Sequence, residues 1–214
     1  MGILEDINLQ VQKGKKKQVK ILVQQAIDEG YAPEQILNEA LLAGMDVVGE
    51  KFRNNEVFVP EMLVTARAMN VGTETIKPYM ADANATSRGK ICLGTVKGDL
   101  HDIGKNLVKM MLEGKGFEVI DLGVDVPDEK FVETVINEDC KILALSALLT
   151  TTMPALGDVV RATEEAGIRN NIKIMIGGAP VTQDYCDQIG ADAYTQDAAS
   201  CAIRAVELMD EMTA

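Results

Sequence analysis

The chain has 214 residues, 47% apolar and 25% charged, enough to bury one large core or two modest ones in water. Aromatic residues make up only 4%, tryptophan is absent and the formal charge is −12, which argues against a nucleic-acid partner, since that needs stacking platforms and a basic surface. Four scattered cysteines without a Cys-x-x-Cys pair fit reduced thiols better than a disulfide framework or a zinc site. No leader pattern opens the chain and no run approaches the roughly 20 apolar residues of a membrane span, so a cytoplasmic protein with no membrane partner is expected.

Residues 1–80 read as helices. The basic run Lys13-Gly14-Lys15-Lys16-Lys17 reads as a solvated helix start, with a docking contact for an acidic partner as the other reading. From 16 to 29, Val19, Leu22, Val23, Ala26 and Ile27 recur at helical spacing until Gly30. Pro33 opens a second helix carrying Ile36, Leu37, Ala40, Leu41, Met45 and Val48. A third, from about Pro60, carries Met62, Leu63, Ala66, Met69 and Val71. With a short opening helix this predicts a bundle of about four helices over 1–84. The small, polar stretch 81–89 has the composition of a linker.

Beyond it the texture changes. Short apolar runs at 91–96, 118–122, 142–145, 172–176 and 193–195 alternate with helical stretches at 105–113, 128–138, 153–165, 184–189 and 198–212. Such alternation predicts a five-stranded parallel sheet with helices on both faces, a flavodoxin-like, Rossmann-type domain over 85–214. In this class ligands bind beyond the carboxyl ends of the strands, which directs attention to the loops after the first, third and fourth.

The first of these loops holds the chain's one histidine, in Lys97-Gly98-Asp99-Leu100-His101-Asp102-Ile103-Gly104. A histidine with a carboxylate two residues away is a metal ligand with its second nitrogen oriented, or else an ordinary residue of a polar loop. One histidine with scattered cysteines cannot assemble a three- or four-ligand zinc site without many carboxylates, whereas a metal that brings its own equatorial ring needs a single axial donor. Haem and corrinoids both qualify.

Asp99-x-His101-x-x-Gly104, Ser146-Ala147-Leu148 after the third strand and Gly177-Gly178 after the fourth resemble, in order, the signature of cobalamin-binding proteins. These include methionine synthase, the cobalamin mutases and the corrinoid proteins of three-component methyltransferase systems. The resemblance covers about 88–214. It implies cobalamin as cofactor, cycling between methylcobalamin and Co(I), with His101 as the lower axial cobalt ligand. It further implies that Asp99 holds the other ring nitrogen and that the Ser146 hydroxyl contacts Asp99 in turn. Gly104, Leu148, Gly177 and Gly178 would leave room for the nucleotide tail. Thr150 would bond the corrin or the tail, and Tyr194, Thr195 and Asp197 would approach the tail.

The segment 51–62, from Lys51-Phe52-Arg53 to Glu61-Met62, resembles the helical cap of methionine synthase and of the methyltransferase corrinoid proteins. By that resemblance Phe52, Val59 and Met62 shield the upper face of the corrin, and the cap swings away over the 81–89 linker when a partner arrives. The implied function is methyl carriage. A substrate:corrinoid methyltransferase loads the methyl, a corrinoid:tetrahydrofolate or coenzyme M methyltransferase removes it, and a reductive activator protein restores the cofactor. The chain is then a cofactor-bearing subunit with no catalytic residue of its own. A cobalamin-dependent sensor is the alternative, disfavoured by the acidic charge and the lack of a DNA-binding segment. A small mutase subunit is a third option, in which the apolar cap would be unexpected.

Overall fold

The computed structural model describes residues 2–54, 56–80 and 87–213. The chain divides into two compact units, one built on 1–88 with 113–116, the other on 89–112 and 117–214.

The helical unit contains α1 (Ile3–Gln12), α2 (Lys16–Asp28), α3 (Pro33–Gln35), α4 (Ala43–Arg53) and α5 (Val59–Ile76). Between α3 and α4, Ile36–Leu42 winds as a π-helix, so the helix expected from Pro33 is one α–π–α run. The π stretch buries Ile36, Leu37, Ala40, Leu41 and Leu42. Apolar spacing in so short a segment does not separate α from π winding, which is why the sequence shows only a helix. At the start of α5 the Glu61 carboxylate accepts from the Phe58 N–H at 2.8 Å, tying down an amide the helix cannot satisfy. Met62, Thr65, Ala66, Met69, Gly72 and Ile76 form the buried stripe of α5, which lies against α2. A Cβ at Gly72 would come within 2.5 Å of Leu41, so glycine sets the close approach there.

The second unit is a five-stranded parallel sheet in the order β2-β1-β3-β4-β5. Its strands are β1 (Lys90–Thr95), β2 (Glu118–Asp121), β3 (Ile142–Ser146), β4 (Lys173–Gly177) and β5 (Ala193–Tyr194). The helices are α6 (Ile103–Gly114), α7 (Asp128–Glu138), α8 (Met153–Glu165), α9 (Gln183–Ile189) and α10 (Ala198–Thr213). The predicted doubly wound class and strand number are therefore those observed. Buried runs in β1, β3 and β4 reflect cover on both faces. Cys92, Leu143 and Ile174 face one side, where they meet Phe131 and Val135 of α7, Leu156 and Val159 of α8 and Cys186 of α9. Their neighbours Leu93, Ala144 and Met175 point the other way, toward α6 and α10. The strand order reverses between β1 and β3, and that reversal opens a crevice at their carboxyl ends. The expected linker at 81–89 lies mostly outside the described residues, at 81–86.

Candidate functional site

β1 runs into a loop that cannot continue as a helix until Ile103, because Gly98 takes φ +82° and turns the backbone back. The turn brings Asp99 under the sheet edge, where it is fully buried. Its two oxygens divide their work. Oδ1 accepts from the His101 backbone N–H at 3.1 Å and lies 2.7 Å from His101 Nδ1. Oδ2 accepts from the Leu148 N–H at 2.6 Å, from Leu149 N–H at 3.4 Å and from the Thr152 hydroxyl at 2.7 Å. Burial alone would push this carboxyl up. The donors from Leu148, Thr152 and His101 outweigh it and hold Asp99 well below the usual carboxylate range. An ionised Asp99 fixes the tautomer of its neighbour: Nδ1 carries the proton, and Nε2 offers its lone pair. The His101 side chain is 49% exposed, and its backbone carbonyl is pinned by the buried Thr95 hydroxyl at 2.9 Å.

His101 stands at the mouth of a cleft of about 520 Å³ that runs between the sheet and the helices α6 and α10. Gly104, Ser146, Leu148, Gly177 and Gly178 line it with His101, so most of the predicted tail-binding residues converge on one space. Thr195 and Asp197 line it as well, while Tyr194 lies against the core on the other face of the sheet. A Cβ on Gly104 would meet nothing within 4 Å and would project into open space. A Cβ on Gly178, at φ +136°, would sit 1.8 Å from the Ala147 carbonyl oxygen. Glycine is required there because the loop after β4 runs against the loop after β3.

One predicted contact is corrected. The hydroxyl bonded to Asp99 belongs to Thr152, not to Ser146. Ser146 ends β3 with its carbonyl accepting from the Val96 N–H at 3.0 Å, and its side chain looks into the cleft. The first turn after β3 carries the chain past Asp99, so the residue six positions later comes back beneath the carboxylate. The Thr152 proton has a second acceptor, the Leu149 carbonyl at 3.0 Å; the shorter bond to the anion is the stronger one. Thr150 is exposed in the turn and does not line the cleft. In the helical unit, Phe52 lies in the last turn of α4 and Val59 begins α5, both half-buried, and Met62 falls on the buried stripe.

Leu100 and Ile103 escaped the sequence reading. They are 72% and 86% exposed and flank His101, with Leu148 and Leu149 also exposed on the neighbouring loop. Large apolar side chains around a half-exposed histidine make a surface suited to a broad apolar ligand. Among the described residues no group of three or more His, Cys, Asp or Glu side chains is placed to hold a metal ion. The donor set therefore suits a metal that arrives in its own macrocycle and takes one axial nitrogen.

Comparison with known proteins decides between such macrocycles. Residues 89–206 match the B12 binding domain family, and residues 3–77 match a second family described as a B12 binding domain. The chain belongs to the B12-binding corrinoid proteins. Dimethylamine corrinoid protein 1 of Methanosarcina acetivorans is 44% identical over 196 residues, spanning 91% of this chain and 92% of that protein. Trimethylamine corrinoid protein 1 of Methanosarcina mazei is 45% identical over 176 residues, 81% of this chain and 82% of that one. Among solved structures, the methanol:cobalamin methyltransferase complex MtaBC from Methanosarcina barkeri superposes with a TM-score of 0.87 at 33% identity. That match covers 97% of this chain and 80% of the other. For a corrinoid protein the cofactor is cobalamin or a close relative. The residues present fit it: a ring nitrogen left available, an apolar rim around it, and a cleft lined by glycines.

Proposed function

We propose that this corrinoid protein carries methyl groups between two methyltransferases, with a methylamine as the source. The observation that carries the reading is the hydrogen-bonded chain His101–Asp99–Thr152 at the mouth of the cleft. The names of the two methylamine corrinoid relatives support the donor class. When bound, the corrinoid supplies a cobalt centre able to accept a methyl group and give it up again.

The chain's own residues have distinct parts in this reading. His101 Nε2 would hold the cobalt through its free lone pair. Asp99 orients the imidazole and keeps the proton on Nδ1, and Thr152 supports Asp99 from the far side. Leu100, Ile103 and Leu148 form the apolar seat beside the histidine. Gly104 leaves open space for the nucleotide tail, and Gly177 and Gly178 let the loop after β4 pack closely along the same cleft. Phe52, Val59 and Met62 belong to the same proposal as apolar cover for the methyl position. A tetrahydrofolate- or coenzyme M-dependent methyltransferase takes the methyl onward, and a reductive activator protein rescues oxidised cofactor.

The test is methylation of the reconstituted chain. Loaded with hydroxocobalamin, reduced, and mixed with methylamine methyltransferases and a donor panel, it should show the spectral change of cobalt methylation with a mono-, di- or trimethylamine partner. Methylation by methanol or aryl methyl ether systems alone would overturn the donor class. No methylation by any partner would overturn methyl carriage. For the cover, Phe52→Ala should speed photolysis of methylcobalamin bound to the chain, and an unaltered decay would remove Phe52 from that role.

A further inference from the structure

The loop after β2 makes two bonds to the histidine loop that the methyl-carrier reading does not use. The Asp125 carboxylate accepts from the Gly98 N–H at 2.7 Å, and the Asp125 N–H donates to the Asp99 carbonyl at 2.9 Å. The backbone of Asp125 lies in the left-handed region, at φ +53°, which glycine, asparagine and aspartate adopt more readily than other residues. The next residue, Val126, bridges Val96 at the end of β1 and donates to the Thr95 carbonyl at 3.1 Å. Asp125 itself is exposed, so burial of its side chain does not explain why a carboxylate stands there.

From this geometry we infer that Asp125 is a positioning residue for the axial histidine. It ties down the amide of Gly98 and the carbonyl of Asp99, the two peptide groups from which His101 is hung. The inference rests on the reading of His101 as the cobalt ligand. Gly98 has φ +82° and the freedom that goes with glycine, so its loop needs an external tether to stay in one conformation. Asp125 supplies that tether from one side, as Leu148 and Thr152 hold the Asp99 carboxylate from the other. The β2 loop thereby fixes the direction of the imidazole without touching the cofactor.

Two substitutions separate the carboxylate from the backbone shape. Asp125→Gly keeps the left-handed conformation at no steric cost and removes the acceptor. Asp125→Asn keeps both the conformation and an acceptor oxygen. The full chain and both variants are loaded with hydroxocobalamin and reduced to Co(II), and the nitrogen superhyperfine splitting from the axial ligand is read by EPR alongside cobalamin affinity. Asp125→Gly should bind cobalamin about tenfold more weakly, since the freed histidine loop must then be ordered on binding, with a reduced histidine-on fraction. Asp125→Asn should recover most of both. Equal splitting and affinity in Asp125→Gly and the parent would overturn the role of Asp125 alone. Absence of axial nitrogen splitting in the parent would overturn the histidine assignment and this role with it. Hydrogen exchange of the Gly98 amide in the apo parent gives a check that needs no variant: protection is expected, and free exchange would contradict the tether.

Discussion

Asp99 gathers donors from three places onto one buried carboxylate: His101 beside it, Leu148 and Leu149 across the crevice, and the Thr152 hydroxyl below. Thr152→Val keeps the shape and removes one donor, and should cost about 1–2 kcal/mol in urea unfolding while raising the Asp99 pKa. Because the folded pKa of Asp99 is lowered, its contribution to stability is fully present above the ordinary carboxylate value near ~4 and is lost as pH falls toward the lowered one. Unfolding free energies measured from pH 7 down to 3 should therefore fall in acid, and Asp99→Asn should remove part of that slope. A slope unchanged in Asp99→Asn would mean that folding does not lower the pKa of this carboxyl. Asp99, His101 and the glycines were legible in the sequence because they sit at fixed short spacings within single loops. Thr152 was not. It lies 53 residues from Asp99, and in Thr150-Thr151-Thr152 nothing in the spelling shows which hydroxyl turns inward.

At the scale of elements, α6 and β2 are joined by an ion pair that periodicity could not reveal. Lys105 is nearly fully buried at the first turn of α6, with Nζ 2.7 and 2.8 Å from the two Asp121 oxygens and 2.8 Å from Asn106 Oδ1. Asp121 is held below its ordinary pKa: burial pushes it up, and Lys105, the Gly123 N–H and Lys109 pull it down further. Asp121→Ala strands a buried ammonium and should destabilise the chain by about 3 kcal/mol. An effect under half of that in urea denaturation would show that the lysine escapes to solvent. Gly178→Ala places a methyl against the Ala147 carbonyl and should cost at least about 2 kcal/mol while weakening cobalamin binding, since both loops line the cleft. Strand number and helix order were legible because apolar runs and amphipathic stretches alternate cleanly. The π winding at Ile36–Leu42 and the paired Lys105 were not, because both depend on tertiary neighbours.

For the molecule as a whole, a helical unit and a parallel sheet unit together match corrinoid proteins along nearly the full chain. No helix among the described residues is long and apolar enough to cross a membrane. A ligand that binds only the folded state stabilises it by about 2.7 kcal/mol at a hundred times its Kd. Saturating cobalamin should therefore raise the Tm of the parent by several degrees, and of His101→Ala by less. The measurement that bears most directly on the central claim is EPR of the Co(II) form of the parent beside His101→Ala. The parent should show superhyperfine splitting from one axial nitrogen and the variant none, with weaker retention of the corrinoid. Splitting that persists unchanged in His101→Ala would contradict the assignment of His101 as the cobalt ligand.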